Sequence, residues 1–90
     1  MELELFRGHL IAFVVRLMYQ SKEGYGCIAR YDTAHGRPHR DMISPKGRLL
    51  RKDWLLEMTF SEAANHANQD FKGNHEAYIQ QFEARHHYDS

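Results

Sequence analysis

From His9 to Tyr19 the chain alternates with a period of two, and no other stretch constrains the fold as strongly. Ile11, Phe13, Val15, Leu17 and Tyr19 share one side, while Leu10, Ala12, Val14, Arg16 and Met18 share the other. Successive strand side chains point to opposite faces, and β-branched and aromatic residues pack well on a pleated surface. The segment reads as a strand, and its two largely apolar sides place it centrally in a sheet. Glu2 to Phe6 alternates leucine with glutamate as a preceding strand, and Gly8 marks a bulge or bend between the two. The polar loop "SKEG" leads to a returning strand, Tyr25 to Tyr31. Tyr25, Cys27, Ala29 and Tyr31 are expected on one face of it, Ile28 and Arg30 on the other. His39 to Ser44 is a third short strand ended by the turn "SPKG", and Arg48 to Lys52 reads as another.

The last third is helical. Thr59-Phe60-Ser61-Glu62 has the T-x-x-E form of a capping box, which makes Thr59 the N-cap. Phe60, Ala64, Ala67, Phe71, Tyr78 and Phe82 then hold one face at a 3.6-residue period, interrupted by Gly73-Asn74. The whole, residues 1–90, is expected to be a single α+β domain. Its small antiparallel sheet of three to four strands packs against a C-terminal kinked helix or helix pair.

Ninety residues leave room for one thin core, and 27% charged residues against 42% hydrophobic is a globular balance. Twelve basic residues offset twelve acidic ones, so any attraction for polyanions must come from a local patch. Such a patch exists in the sequence: Arg37, Lys46, Arg48, Arg51 and Lys52 are candidate nucleic-acid contacts. The lone Cys27 excludes an internal disulfide and a four-thiolate zinc site, and suits a reducing compartment. The longest apolar run, Leu10 to Val15, is far short of a bilayer span, and no small-residue cleavage site follows it before Tyr19. A cytoplasmic protein without membrane attachment is the expectation.

Chemistry concentrates in "RYDTAHGRPHRD", residues 30–41. Residues two apart on a strand share a face, so Arg30 sits with Asp32 and His39 with Asp41. A hairpin joining the two strands would bring these four side chains together, with His35 in the connecting loop. One reading is acid–base cleavage of an RNA phosphodiester without metal or cofactor. His35 and His39 form the acid–base pair, Arg30, Arg37 or Arg40 stabilises phosphate charge, and Asp32 or Asp41 orients an imidazole. A second reading is a polar hairpin tip, with Asp32 in an Asx-turn and Arg30 paired to Asp41 across strands. A third is a metal site of His35, His39 and Asp41 with Asp32, although Gly36 and Pro38 oppose the helix that an H-x3-H pair prefers. Trp54 is expected to anchor sheet to helix, with base stacking as the alternative. Whether the chain is an enzyme is left open.

"YGCIARYDTAHGRPHRD" resembles small prokaryotic proteins in which a strand ending Arg-Tyr-Asp precedes a Pro-His segment. The TumE-like toxins of toxin–antitoxin pairs are the named relatives. The resemblance runs from Tyr25 to Gly47, with a looser echo in "AANHANQDFKGNHEAY", and its matching positions are Arg30, Tyr31, Asp32, Pro38 and His39. It implies a cytoplasmic RNA-acting toxin held by a cognate antitoxin protein. The chain departs from that group at Asp41, where a second histidine is usual, so His35 would have to take its place. The competing expectation is a non-catalytic module that binds nucleic acid or protein. A homodimer covering the second face of the Leu10–Met18 strand is a further one.

Overall fold

The structure is a computed structural model describing residues 1–22 and 24–89, with the side chains of residues 35 and 86–89 outside that description. Five strands run in chain order: β1 (Glu2–Phe6), β2 (His9–Ser21), β3 (Gly24–Asp32), β4 (His39–Ile43) and β5 (Leu49–Trp54). A single helix, α1 (Phe60–Asp89), follows. The strands form one antiparallel meander in the order β1-β2-β3-β4-β5. The α+β class is as expected, but the sheet has five strands rather than three to four.

Each turn follows from its residues. Arg7 and Gly8 both have positive φ, 51° and 79°, the backbone that lets a two-residue loop match the strand twist. Between β4 and β5, Gly47 at φ 80° closes the turn by donating to the Ser44 carbonyl at 2.9 Å. Glu23 of the expected "SKEG" loop lies outside the described residues.

The helix is one continuous element of 30 residues rather than a pair. Its start is a capping box: Thr59 N–H donates to Glu62 Oε1 at 2.9 Å, and Glu62 N–H donates to Thr59 Oγ1 at 3.1 Å. Gly73 does not break it. That glycine costs a helix about 1 kcal/mol relative to alanine. Phe71 and Tyr78, both buried on the sheet, hold the helix on either side of it. Asn74 also bridges back one turn, donating to Asp70 Oδ1 at 2.8 Å.

The helix covers one face of the sheet. Phe13, Val15, Ala29, Tyr31 and Met42 meet Ala63, Ala64, Ala67, Phe71, Tyr78 and Phe82 in one core. On α1 the core residues are alanines toward the N-terminal end and aromatic residues toward the C-terminal end. Among the described residues, no helix is long and apolar enough to cross a membrane.

The phase of β3 departs from a strict two-residue alternation. Ala29 lies across from Leu17 but Cys27 across from Met18, so Ile28 is an extra residue in a β-bulge. Tyr25 and Cys27 therefore share the face of Gln20 and Met18, not the face of Ala29 and Tyr31 as the sequence pattern implied. The second sheet face carries no helix among the described residues. The candidate site lies there.

Candidate functional site

Cross-strand register builds the site in two rows. Val14, Asp32, His39 and Trp54 are successive partners across β2, β3, β4 and β5. Arg16, Arg30, Asp41 and Lys52 are the next row. All eight point away from α1, because the alternate residues Tyr31 and Arg40 reach the helix instead: Tyr31 donates to Asp70, and Arg40 to Tyr78.

His39 and Asp41 are each only 1% exposed, although no helix covers them. Their flanking neighbours enclose them. His39 Nε2 sits 2.8 Å from Asp32 Oδ1 and 3.5 Å from Asp41 Oδ2. Its Nδ1 lies 3.1 Å from the Arg37 carbonyl. Arg30 bridges both acids, with Nη2 at 2.7 Å from Asp41 Oδ2 and Nε at 3.0 Å from Asp32 Oδ2. Lys52 Nζ closes on Asp41 Oδ1 at 3.1 Å as an ion pair rather than an aligned hydrogen bond. The Trp54 ring lies against His39 with centroids 5.1 Å apart, and the Lys52 ammonium stands 5.4 Å from the indole centroid. Burial alone would push Asp41 up, but Arg30, Lys52 and His39 outweigh it and hold the carboxyl below its usual range. The hydrogen bond to Asp41 raises Arg30 in turn.

Local chain geometry fixes these positions. Asp32 Oδ1 accepts from the Ala34 N–H at 2.9 Å, the Asx-turn that a β-strand ending in Asp-Thr allows. Thr33 Oγ1 accepts from the Phe13 N–H at 3.1 Å and ties the same turn to β2. A short 3-10 turn, Ala34–Gly36, then returns the chain to β4 through the buried Pro38.

Chemically, the arrangement is an ionic network closed on itself. Both His39 nitrogens face oxygens of the chain itself and the residue is 1% exposed, so neither nitrogen is presented to an incoming group. Asp32, His39 and Asp41 place ligand atoms within 4.8 Å of one another, the spacing of a metal triad. Yet Arg30 and Lys52 already meet the same carboxylates. A divalent ion would have to displace or repel them. The cations here are the chain's own.

The structure gathers Arg30, Asp32, His39, Asp41 and Lys52 into one cluster, and the expected Arg30–Asp41 cross-strand pair is there. It separates the rest. Arg40 lies on the opposite face, where Nε and Nη2 grip Asp53 Oδ2 at 3.0 and 2.6 Å, because strand alternation turns it away from His39 and Asp41. Arg51 likewise turns from Lys52 and pairs with Asp53 Oδ1 at 2.7 Å. Arg37 precedes β4 while Lys46 and Arg48 follow it, so these exposed cations sit at opposite ends of that strand. The His35 side chain lies outside the described residues, and only its backbone is placed, in the 3-10 turn. Trp54 faces away from the helix and anchors nothing to it. The sequence pattern places Arg16 on a strand face but not in the site. Only the β2–β3 register, invisible in composition, puts it beside Arg30.

Fold and site together define a small α+β domain whose meander sheet is helix-covered on one face and carries a histidine–aspartate ion network on the other. The chain belongs to the family of the domain of unknown function DUF7718, whose model matches residues 1–88. No curated protein and no solved structure is found to match it.

Proposed function

We propose that the protein is a non-catalytic RNA-binding module, and that single-stranded RNA lies across the open sheet face. The observation that carries this reading is the contrast between a buried acid–histidine interior and an accessible cationic, aromatic rim. Arg16, Arg30 and Lys52 expose 42%, 36% and 27% of their side chains along one row, beside a Trp54 that is 45% exposed. Three inter-strand steps, roughly 14 Å, separate the ends of that row. A row of cations beside an exposed indole is the combination that tracks a phosphate backbone and stacks a base. Arg16 also pairs with Glu2, and the other two are anchored on buried carboxylates, so their orientation is set before RNA arrives.

Fluorescence titration with a short unstructured RNA tests this. Trp54→Ala is expected to weaken binding by about 1–3 kcal/mol. Lys52→Met is expected to flatten the salt dependence by about one ion. Affinity that stayed constant between low and physiological salt would dismiss the proposal.

A second reading, metal-independent RNA cleavage by a toxin-like protein with an antitoxin partner, draws on one specific contact. His39 and Asp32 meet at 2.8 Å beside Arg30, within the segment that carries the toxin resemblance. This reading requires the network to open on substrate. It expects cleavage in EDTA that leaves 2′,3′-cyclic phosphate ends, and a requirement for divalent ions would refute it.

A further inference from the structure

On the helix-covered side, a cleft of about 260 Å³ opens between β4–β5 and the C-terminal half of α1. Three arginines line it from three elements: Arg40 on β4, Arg51 on β5 and Arg85 on α1. Tyr78, Asp70 and Gln81 also line it. We infer that this cleft is a phosphate-binding site, taking the phosphate of a mononucleotide. It is distinct from the proposed RNA surface, because the sheet itself stands between them.

The argument starts from how each charge is used. Asp70 is already committed: it accepts from the Tyr31 hydroxyl at 2.7 Å, from the Tyr78 hydroxyl, and from Asn74. Asp53 is shared between Arg40 and Arg51. Arg40 is thereby fixed, with a further bond from Nη1 to the Tyr78 hydroxyl at 3.0 Å. Arg51 meets Asp53 through Nε and is otherwise 68% exposed, so the outer edge of its fork is available. Three guanidinium groups thus stand against two spent carboxylates around one opening. A carboxylate ligand has two oxygens in a plane and suits a single fork. A phosphate offers more oxygens in a tetrahedral arrangement, and suits several forks approaching from different elements. Drug-sized sites run from roughly 300 Å³ upward, so this volume suits a phosphate with its sugar rather than a longer oligonucleotide. Arg40 is held before any ligand arrives, which lowers the ordering cost of binding.

Amide chemical-shift titrations of the whole chain test the assignment, with inorganic phosphate, adenosine 5′-monophosphate and adenosine as probes. Both phosphate-bearing probes are expected to give saturable shifts at Arg51 and across Asn74–Arg85, and adenosine none. Tighter binding of the monophosphate identifies a nucleotide as the source, while equal binding identifies phosphate alone. Arg51→Ala and Arg85→Ala should each weaken binding roughly tenfold, as expected for losing a charge-assisted bond. Arg85→Ala leaves the Arg40–Asp53 pair untouched, and Arg51→Ala removes the second partner of Asp53 while both Arg40 bonds to Oδ2 remain. Trp54→Ala on the opposite face should leave these shifts unchanged. Absence of saturable shifts, equal response to adenosine, or full binding by an Arg51→Ala/Arg85→Ala double variant would overturn the inference.

Discussion

His39→Ala is expected to destabilise the domain by about 3–5 kcal/mol, the scale for removing one partner from a buried ion network. The imidazole is enclosed by Asp32, Asp41, Trp54 and the Arg37 carbonyl. Its loss leaves two buried acids facing a void, with Arg30 alone bridging them. A domain of this kind has about 5–15 kcal/mol of stability to lose, so a substantial unfolded population is expected at physiological temperature. Urea titration would show a lower midpoint with an unchanged slope. The coupling has its own signature. Adding Asp32→Asn to His39→Ala should cost less than the sum of the two single changes, because the first change has already removed the partner. A loss below about 1 kcal/mol, where surface pairs fall, would show that the network is not what holds β3 to β4 on this face.

The second large effect centres on Asp70 of α1, where the helix meets the sheet. Its carboxylate accepts from two tyrosine hydroxyls and Asn74, with Arg40 Nη1 at 4.0 Å. Asp70→Ala leaves the hydroxyl protons of Tyr31 and Tyr78, both buried, without the acceptor they share, and is expected to cost about 2–5 kcal/mol at neutral pH. Asp70→Asn, which keeps an acceptor oxygen, should cost less. Burial would push the Asp70 carboxyl up, but the tyrosines, Asn74 and Arg40 outweigh it and bring it below the ordinary value of 3.8. Asp41 and Asp53 are lowered in the same way. A lowered carboxyl gives stability that is present above its unfolded pKa and is lost as pH falls through the folded one. The wild-type protein should therefore lose stability progressively below about pH 4. Tyr31 and Tyr78 are raised above 10.0, first by burial and then by Asp70. Their contribution is complete below pH 10 and fades as pH climbs beyond it. Thermal melts across pH should show both limbs, and Asp70→Ala should make both shallower.

Much of the architecture was readable because local rules and tertiary packing agree. The alternation around Phe13 and Val15 is the alternation that the helix buries, and the Thr59–Glu62 reciprocity is formed as the T-x-x-E spacing implies. Gly73 misled because helix propensity is a weak prior, overridden here by Phe71 and Tyr78 on either side. The β3 phase misled because a bulge leaves no mark in "GCIAR": Ile28 is as apolar as its neighbours, and only pairing with β2 reveals the extra residue. For the site, the chemistry of residues 30–41 was visible and its facing was only partly so. Alternation along β4 already turned Arg40 away from His39, so that separation was legible in principle. Trp54 and Lys52 were not, since their places depend on how far β5 slides along β4. Asp70 was invisible for a different reason. It meets Tyr31 across 39 positions of chain, and nothing local announces such a partner.

The alternation of β4 has a mechanical consequence. His39 and Asp41 plug one ionic assembly, while Arg40, the residue between them, plugs the other on the far side of the same thin wall. Three consecutive backbone units serve as a common axle. A change in the backbone twist at these three residues would reach both assemblies at once, whereas a side-chain replacement on one face leaves the axle in place.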